Sequence, residues 1–134
     1  MHTKERNNMT VKLLKCNGCG KMVLEVIGSK CPTKCCGEPM VELVPNTSDG
    51  AGEKHVPAVK VEGCKVTVQV GEVLHPMLEA HYINFVILET DKGYQKHDLK
   101  PGDQPIAVFA LAEDEKPVAA YEYCNLHGFW KTEI

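Results

Sequence analysis

No apolar run in this 134-residue chain approaches the roughly 20 residues a helix needs to span a bilayer, and the opening MHTKERNNM is charged and lacks an apolar core. The expectation is a soluble, unexported, cytoplasmic protein with no membrane contact. An excess of one charge is also missing: fifteen Lys and Arg against eighteen Asp and Glu leave a formal net charge of −3. Without a basic face, nucleic acid and anionic lipid are poor candidates for partners. No stretch carries the apolar periodicity of an amphipathic helix three turns long, and no repeat or low-complexity segment is found. A coil, a collagen and a disordered tail are excluded, and 43% hydrophobic residues suit one compact globular domain with a small appendage.

Cysteine and histidine are abundant, with seven Cys and six His. Seven thiols cannot all pair internally, and in a reducing compartment clustered Cys and His signal metal more often than cross-links. Cys16, Cys19, Cys31, Cys35 and Cys36 fall in the first third, while Cys64 and Cys124 stand alone. This asymmetry predicts two domains, residues 1–45 and 46–134. In the first, short strands over Val11 to Leu14 and Met22 to Ile27 alternate with Cys-bearing turns. So few apolar residues cannot hold a fold unaided; below about 40 residues a domain usually needs a metal, disulfides or a partner subunit. Pro45 to Gly52 is rich in turn formers and reads as a linker.

Beyond the linker the apolar positions mostly follow a period of two. Lys65 to Val70 alternates strictly, and Tyr82 to Leu88, Ile106 to Leu111 and Val118 to Tyr123 read as further strands. Asp91-Lys92-Gly93, Lys100 to Asp103 and Glu113 to Pro117 supply turns. Short strands and frequent turns predict an all-β antiparallel sandwich rather than an α/β fold.

Two constellations carry chemistry. Cys16-x-x-Cys19 and the adjacent Cys35-Cys36 offer four thiolates on two turns, enough to surround one iron or zinc tetrahedrally. Neighbouring cysteines must distort the backbone to turn both sulfurs inward. Such distortion tunes a redox metal but gives structural zinc nothing obvious, and a zinc knuckle that only holds the small domain together stays open as the alternative. Cys31 reads as a spare thiol in the same loop. The second set is dispersed: His55, His75, His81, Cys124 and His127. Neutral imidazoles and a thiolate suit iron or copper, and a square of nitrogens with one axial sulfur leaves a sixth position open to a small molecule. Pro76 keeps His75 extended, and the two-residue spacer between Cys124 and His127 lets a tight turn aim both at one point. His2 and His97 read as ordinary histidines, and Cys64 as a strand thiol.

Cys16-x-x-Cys19 with Cys35-Cys36-Gly37-Glu38-Pro39-Met40, then Asp49-Gly50-Ala51, Glu53-Lys54-His55-Val56-Pro57, His75-Pro76-Met77 and Glu122-Tyr123-Cys124-Asn125-Leu126-His127-Gly128, resembles desulfoferrodoxin, the two-iron form of superoxide reductase. The resemblance runs from about Leu14 to Trp130. It implies a small desulforedoxin-like β domain, residues 1–45, holding iron on Cys16, Cys19, Cys35 and Cys36. An immunoglobulin-like β-sandwich, residues 46–134, would hold a second iron on His55, His75, His81 and His127, with Cys124 as axial thiolate. Glu53 matches the family's carboxylate for ferric iron, and Lys54 the lysine beside the open position. The implied activity is one-electron reduction of superoxide to hydrogen peroxide without release of dioxygen. A small carrier such as rubredoxin would supply electrons, and the family usually forms homodimers. One rival is an electron-transfer metalloprotein, of iron or blue-copper type, without superoxide chemistry; the copper form lacks an axial Met after His127 and leaves two His without a role. A purely structural zinc protein is the other.

Overall fold

The computed structural model describes residues 11–47, 55–71 and 74–134, and the chain divides into two compact units, Met1–Val44 and Pro45–Ile134. Among the described residues the protein is all-β, and every strand pairing is antiparallel.

The first unit holds β1 (Leu13–Lys15), β2 (Met22–Leu24), β3 (Lys34–Cys35), β4 (Glu38–Pro39) and β5 (Val41–Glu42). They form a sheet of order β2-β1-β5 and a separate β3–β4 hairpin. Its interior is small: among the described residues only Leu13, Leu14 and Cys16 are buried. The second strand is shorter than its sequence suggests. The described ladder ends with the Glu25 N–H to Lys12 carbonyl bond at 3.0 Å, and Val26 and Ile27 beyond it are 85% and 87% exposed.

The second unit is a sandwich of β6 (Pro57–Glu62), β7 (Lys65–Val70) and β10 (Ile106–Ala110) against β8 (Ile83–Thr90), β9 (Gly93–Asp98), β11 (Pro117–Cys124) and β12 (Gly128–Glu133). The sheet orders are β10-β7-β6 and β12-β11-β8-β9. Period-two alternation on β7 sends Val66, Val68 and Val70 inward, where they meet Phe109 of β10 and Ile83, Val86, Leu88 and Ala120 of the opposite sheet. Three strands of this unit, β6, β9 and β12, escape the sequence reading, and each lies at a sheet edge. An edge strand meets water along one side and needs no full apolar alternation; β9 carries Tyr94, Lys96 and Asp98 outward.

Two further details differ from expectation. Asn46 is not linker: its N–H bonds the Phe129 carbonyl at 3.0 Å, and its side chain pairs with both backbone groups of Lys131 at 3.1 and 2.9 Å, extending the β12 side of the sandwich. Cys64 lies exposed in the β6–β7 turn rather than within a strand.

Candidate metal centres

The four-thiol site is built from two turns. After β1 the chain reverses through Cys16 N–H to Lys21 O at 2.8 Å and Gly20 N–H to Cys16 O at 2.9 Å, while Gly18 N–H donates to Cys16 Sγ at 3.3 Å. The β3–β4 hairpin has a two-residue loop, Cys36-Gly37, with φ of +55° and +79°. Positive φ at both central positions is the geometry a tight hairpin favours, and a left-handed non-glycine residue costs of order 1 kcal/mol. That distortion lets adjacent Cys35 and Cys36 face the same point. Cys19 and Cys35 sulfurs stand 3.6 Å apart, and the four donors lie within 4.8 Å of one another. Backbone N–H groups of Cys19 and Gly18 draw the Cys16 thiol down to about 6, and hydrogen bonding to Cys16 and Cys19 pushes Cys35 up to about 12.

The five-donor site gathers residues far apart in the chain. Four imidazoles close a ring in the order His55, His75, His81, His127, with centroids 4.6 to 5.0 Å apart and neighbouring planes 70° to 82° to one another. His55 Nε2 lies 3.2 Å from His75 Nε2 and 3.0 Å from His127 Nδ1. Cys124 Sγ lies 3.4 Å from His75 Nε2 and 3.9 Å from His127 Nδ1, and all five donors fall within 4.8 Å of one another. The end of β11 makes this possible: Tyr123 pairs with Phe85 but Cys124 pairs with Ile83, so Asn84 is an extra residue at a bulge where the strands open toward the site.

Electrostatics suit ligation. Burial holds the His75 pKa down to about 4, so its imidazole is neutral, and its Nδ1–H donates to the Pro76 carbonyl at 2.7 Å. That bond fixes the tautomer with the Nε2 lone pair turned toward the cluster. Burial pushes the Cys124 thiol up, opposed by the Leu126 and His127 N–H groups that face the sulfur.

The distances fit metal ions. Nitrogens about 2.1 Å from one ion at right angles stand about 3.0 Å apart, and sulfurs about 2.3 Å from a tetrahedral ion stand about 3.8 Å apart. The observed neighbours are 3.0 and 3.2 Å for nitrogen and 3.6 Å for sulfur. One neutral imidazole cannot donate to two such neighbours at once, so converging lone pairs call for a cation between them.

A desulfoferrodoxin family profile matches residues 47–133. The chain belongs to the desulfoferrodoxin family. It is 45% identical to the desulfoferrodoxin of Nitratidesulfovibrio vulgaris over 122 residues, covering 91% of this chain and 95% of that protein. It is 42% identical to a desulfoferrodoxin homolog of Archaeoglobus fulgidus, covering 91% and 96%. Among solved structures, the superoxide reductase of Treponema pallidum superposes with a TM-score of 0.78 at 35% identity, covering 92% of this chain and 99% of that one.

Within this member of the desulfoferrodoxin family, the nine candidate Cys and His donors meet in the two clusters, while Glu53 and Lys54 lie outside the described residues. Cys31 is exposed and joins neither cluster, and His97 stacks on Phe109 at 4.1 Å. Met77, the thioether nearest the His75 motif in sequence, accepts the Ile83 N–H at 3.4 Å and packs on the core. Sequence reasoning missed Trp130, whose ring stacks on His55 at 5.1 Å and whose Nε1–H donates to the His127 carbonyl at 3.1 Å. It also passed over Gly18. A Cβ there would stand 3.2 Å from Cys36 Cβ and 3.6 Å from Cys16 Sγ. Gly18→Ala is therefore expected to speed metal loss from the four-thiol site by about tenfold, through overpacking worth 1–3 kcal/mol, with the histidine site unaffected. Competition with a chelator, followed at each centre's own absorption, checks it.

Proposed function

We propose that this chain is a two-iron superoxide reductase that converts superoxide to hydrogen peroxide without releasing dioxygen. The observation that carries the reading is the ring of four imidazoles with the Cys124 thiol against it, in a chain of the desulfoferrodoxin family. His55, His75, His81, His127 and Cys124 would hold one iron in the domain of residues 46–134. Cys16, Cys19, Cys35 and Cys36 would hold the other in the domain of residues 1–45. Iron(II) held there would supply the single electron, and superoxide, one electron and two protons balance to hydrogen peroxide.

The chain's own residues do the rest. With four neutral imidazoles, the Cys124 thiolate would be the one anionic donor of the five, and its donation would favour electron release from the iron. Lys54, next to His55 in sequence, would attract the anion in a protein of formal charge −3. The Glu53 carboxylate would take the oxidised metal. Water organised by Lys54 would supply protons. The remaining proposals are a small electron carrier such as rubredoxin as donor, a homodimer and a cytoplasmic location; no helix among the described residues is long and apolar enough to cross a membrane.

Rapid mixing of the reduced, iron-loaded protein with superoxide tests the reading. Hydrogen peroxide formed one for one with superoxide, with no dioxygen, is expected. Dioxygen appearing at half the superoxide consumed would mean dismutation and overturn it. Two variants divide the labour. Cys16→Ser is expected to remove the iron of the four-thiol centre yet leave the rapid reaction intact; an intact histidine site that no longer reacts would refute the division. Lys54→Met should lower the second-order rate by about tenfold and flatten its salt dependence, because screening over ~10 Å at 0.1 M salt has less attraction to weaken. Equal rates for variant and wild type at low and high salt would sink the steering role.

A further inference from the structure

His81 is held differently from His55 and His75. His55 is buried and stacked on Trp130, and His75 is buried and tied to the Pro76 carbonyl. His81 instead closes a surface turn whose residues Leu78, Glu79 and Ala80 are exposed. Within the turn, the His81 N–H and carbonyl pair with the carbonyl and N–H of Leu78 at 3.0 and 2.9 Å. Such a turn fixes its own shape and not its distance from the opposite side of the ring.

Beyond the strand pairing of Cys124 with Ile83, Asn125 fixes that distance on the turn's own side. It lies between Cys124 and His127, and its side chain reaches the backbone on both sides of His81: Oδ1 accepts the Tyr82 N–H at 2.9 Å and Nδ2 donates to the Ala80 carbonyl at 3.1 Å. Its own N–H donates to the Tyr82 carbonyl at 3.1 Å. Three hydrogen bonds thus tie the segment carrying one donor to the turn carrying two others, across more than forty residues of sequence. The amide is suited to this work because it is acceptor and donor at once, whereas a carboxylate would set negative charge against the Ala80 carbonyl.

We infer that Asn125 is a positioning residue that clasps His81 to the Cys124–His127 turn and so holds the five-donor site closed around its metal. The inference rests on the proposed ligand role of His81 and adds the device that keeps it in place. Asn125→Ala keeps the turn's internal bonds and the backbone N–H bond to the Tyr82 carbonyl but loses both side-chain ties, so the turn is held by one bond of the three; Asn125→Asp keeps the acceptor for Tyr82 N–H and loses the donor for Ala80.

The test is the rate of iron release from the holoprotein to a ferrous chelator, read at the histidine site with the four-thiol centre as internal reference. Release is expected to be at least tenfold faster in Asn125→Ala and intermediate in Asn125→Asp, with the ferric thiolate absorption of Asn125→Ala moved toward that of His81→Ala. Because the clasp acts through His81, Asn125→Ala should add little to release once His81 is already Ala; residues coupled in this way are non-additive. A wild-type release rate in Asn125→Ala and Asn125→Asp, with fast release in His81→Ala, would overturn the clasp alone. So would the same multiplicative effect of Asn125→Ala in both backgrounds, the signature of a general structural role. A wild-type release rate in His81→Ala would overturn the ligand role of His81 and the clasp together.

Discussion

Cys124→Ser is expected to abolish fast reduction of superoxide while leaving the metal and absorption of the four-thiol centre unchanged. The thiol is fully buried, 3.4 Å from His75 Nε2, and the Leu126 and His127 N–H groups face its sulfur. It is the one candidate donor of the five that would become an anion on binding a metal. A serine hydroxyl fills nearly the same space but does not ionise as a thiol does, so four neutral imidazoles would remain and the electron-donating thiolate would be gone. Losing a group that only supports a ligand typically costs 10–100-fold, so losing this ligand should cost at least about 100-fold in the second-order rate. Stopped-flow mixing of metal-loaded variant and wild type reads it directly, with denaturation midpoints confirming the fold. A variant that keeps a rate within tenfold of wild type would mean that Cys124 does not serve as a donor to the reacting metal.

What could be read in advance follows from how local each signal is. The strand over Lys65 to Val70 was legible because it lies mid-sheet with one face buried, and period two follows directly. The edge strands over Gly93–Asp98 and Gly128–Glu133 were not, because an edge tolerates polar residues on either face. The Cys and His donors were legible because few residue types ligate soft metals and their local spacings are tight. Which histidines adjoin around the ring was not, since His55 and His127 stand 72 residues apart and only the pairing of strands brings them together. Asn125 and Trp130 were missed for a related reason. An Asn beside a Cys looks like turn chemistry, and a Trp near the C-terminus looks like core, until folding sets one against Ala80 and Tyr82 and the other against His55. Glu122 did carry a signal. Two residues before Cys124 and two after Ala120 on one strand, it belongs to the inward face, where a carboxylate is costly.

Glu122→Gln is expected to stabilise the second unit at neutral pH, an effect that vanishes in acid. The side chain is fully buried in β11, and among the described residues neither carboxyl oxygen has a hydrogen-bond partner. Burial raises its pKa to about 9, so the folded protein keeps it protonated across the physiological range. In the unfolded chain a glutamate titrates near 4.3. Between those values unfolding releases a proton, and the folded state loses stability as pH rises. The raised-pKa carboxyl therefore costs nothing below about pH 4, costs progressively more toward pH 9, and amounts to roughly 4 kcal/mol at pH 7. Glutamine has nearly the same shape, stays neutral in both states and removes that pH-dependent term. The gain corresponds to an unfolding midpoint at least about 10 °C higher at pH 7 for a unit of this size. Urea denaturation of the metal-free protein from pH 4 to 8 measures the difference. Curves that run parallel, with the variant no more stable at pH 8 than at pH 4 relative to wild type, would mean that Glu122 is ionised in the folded protein.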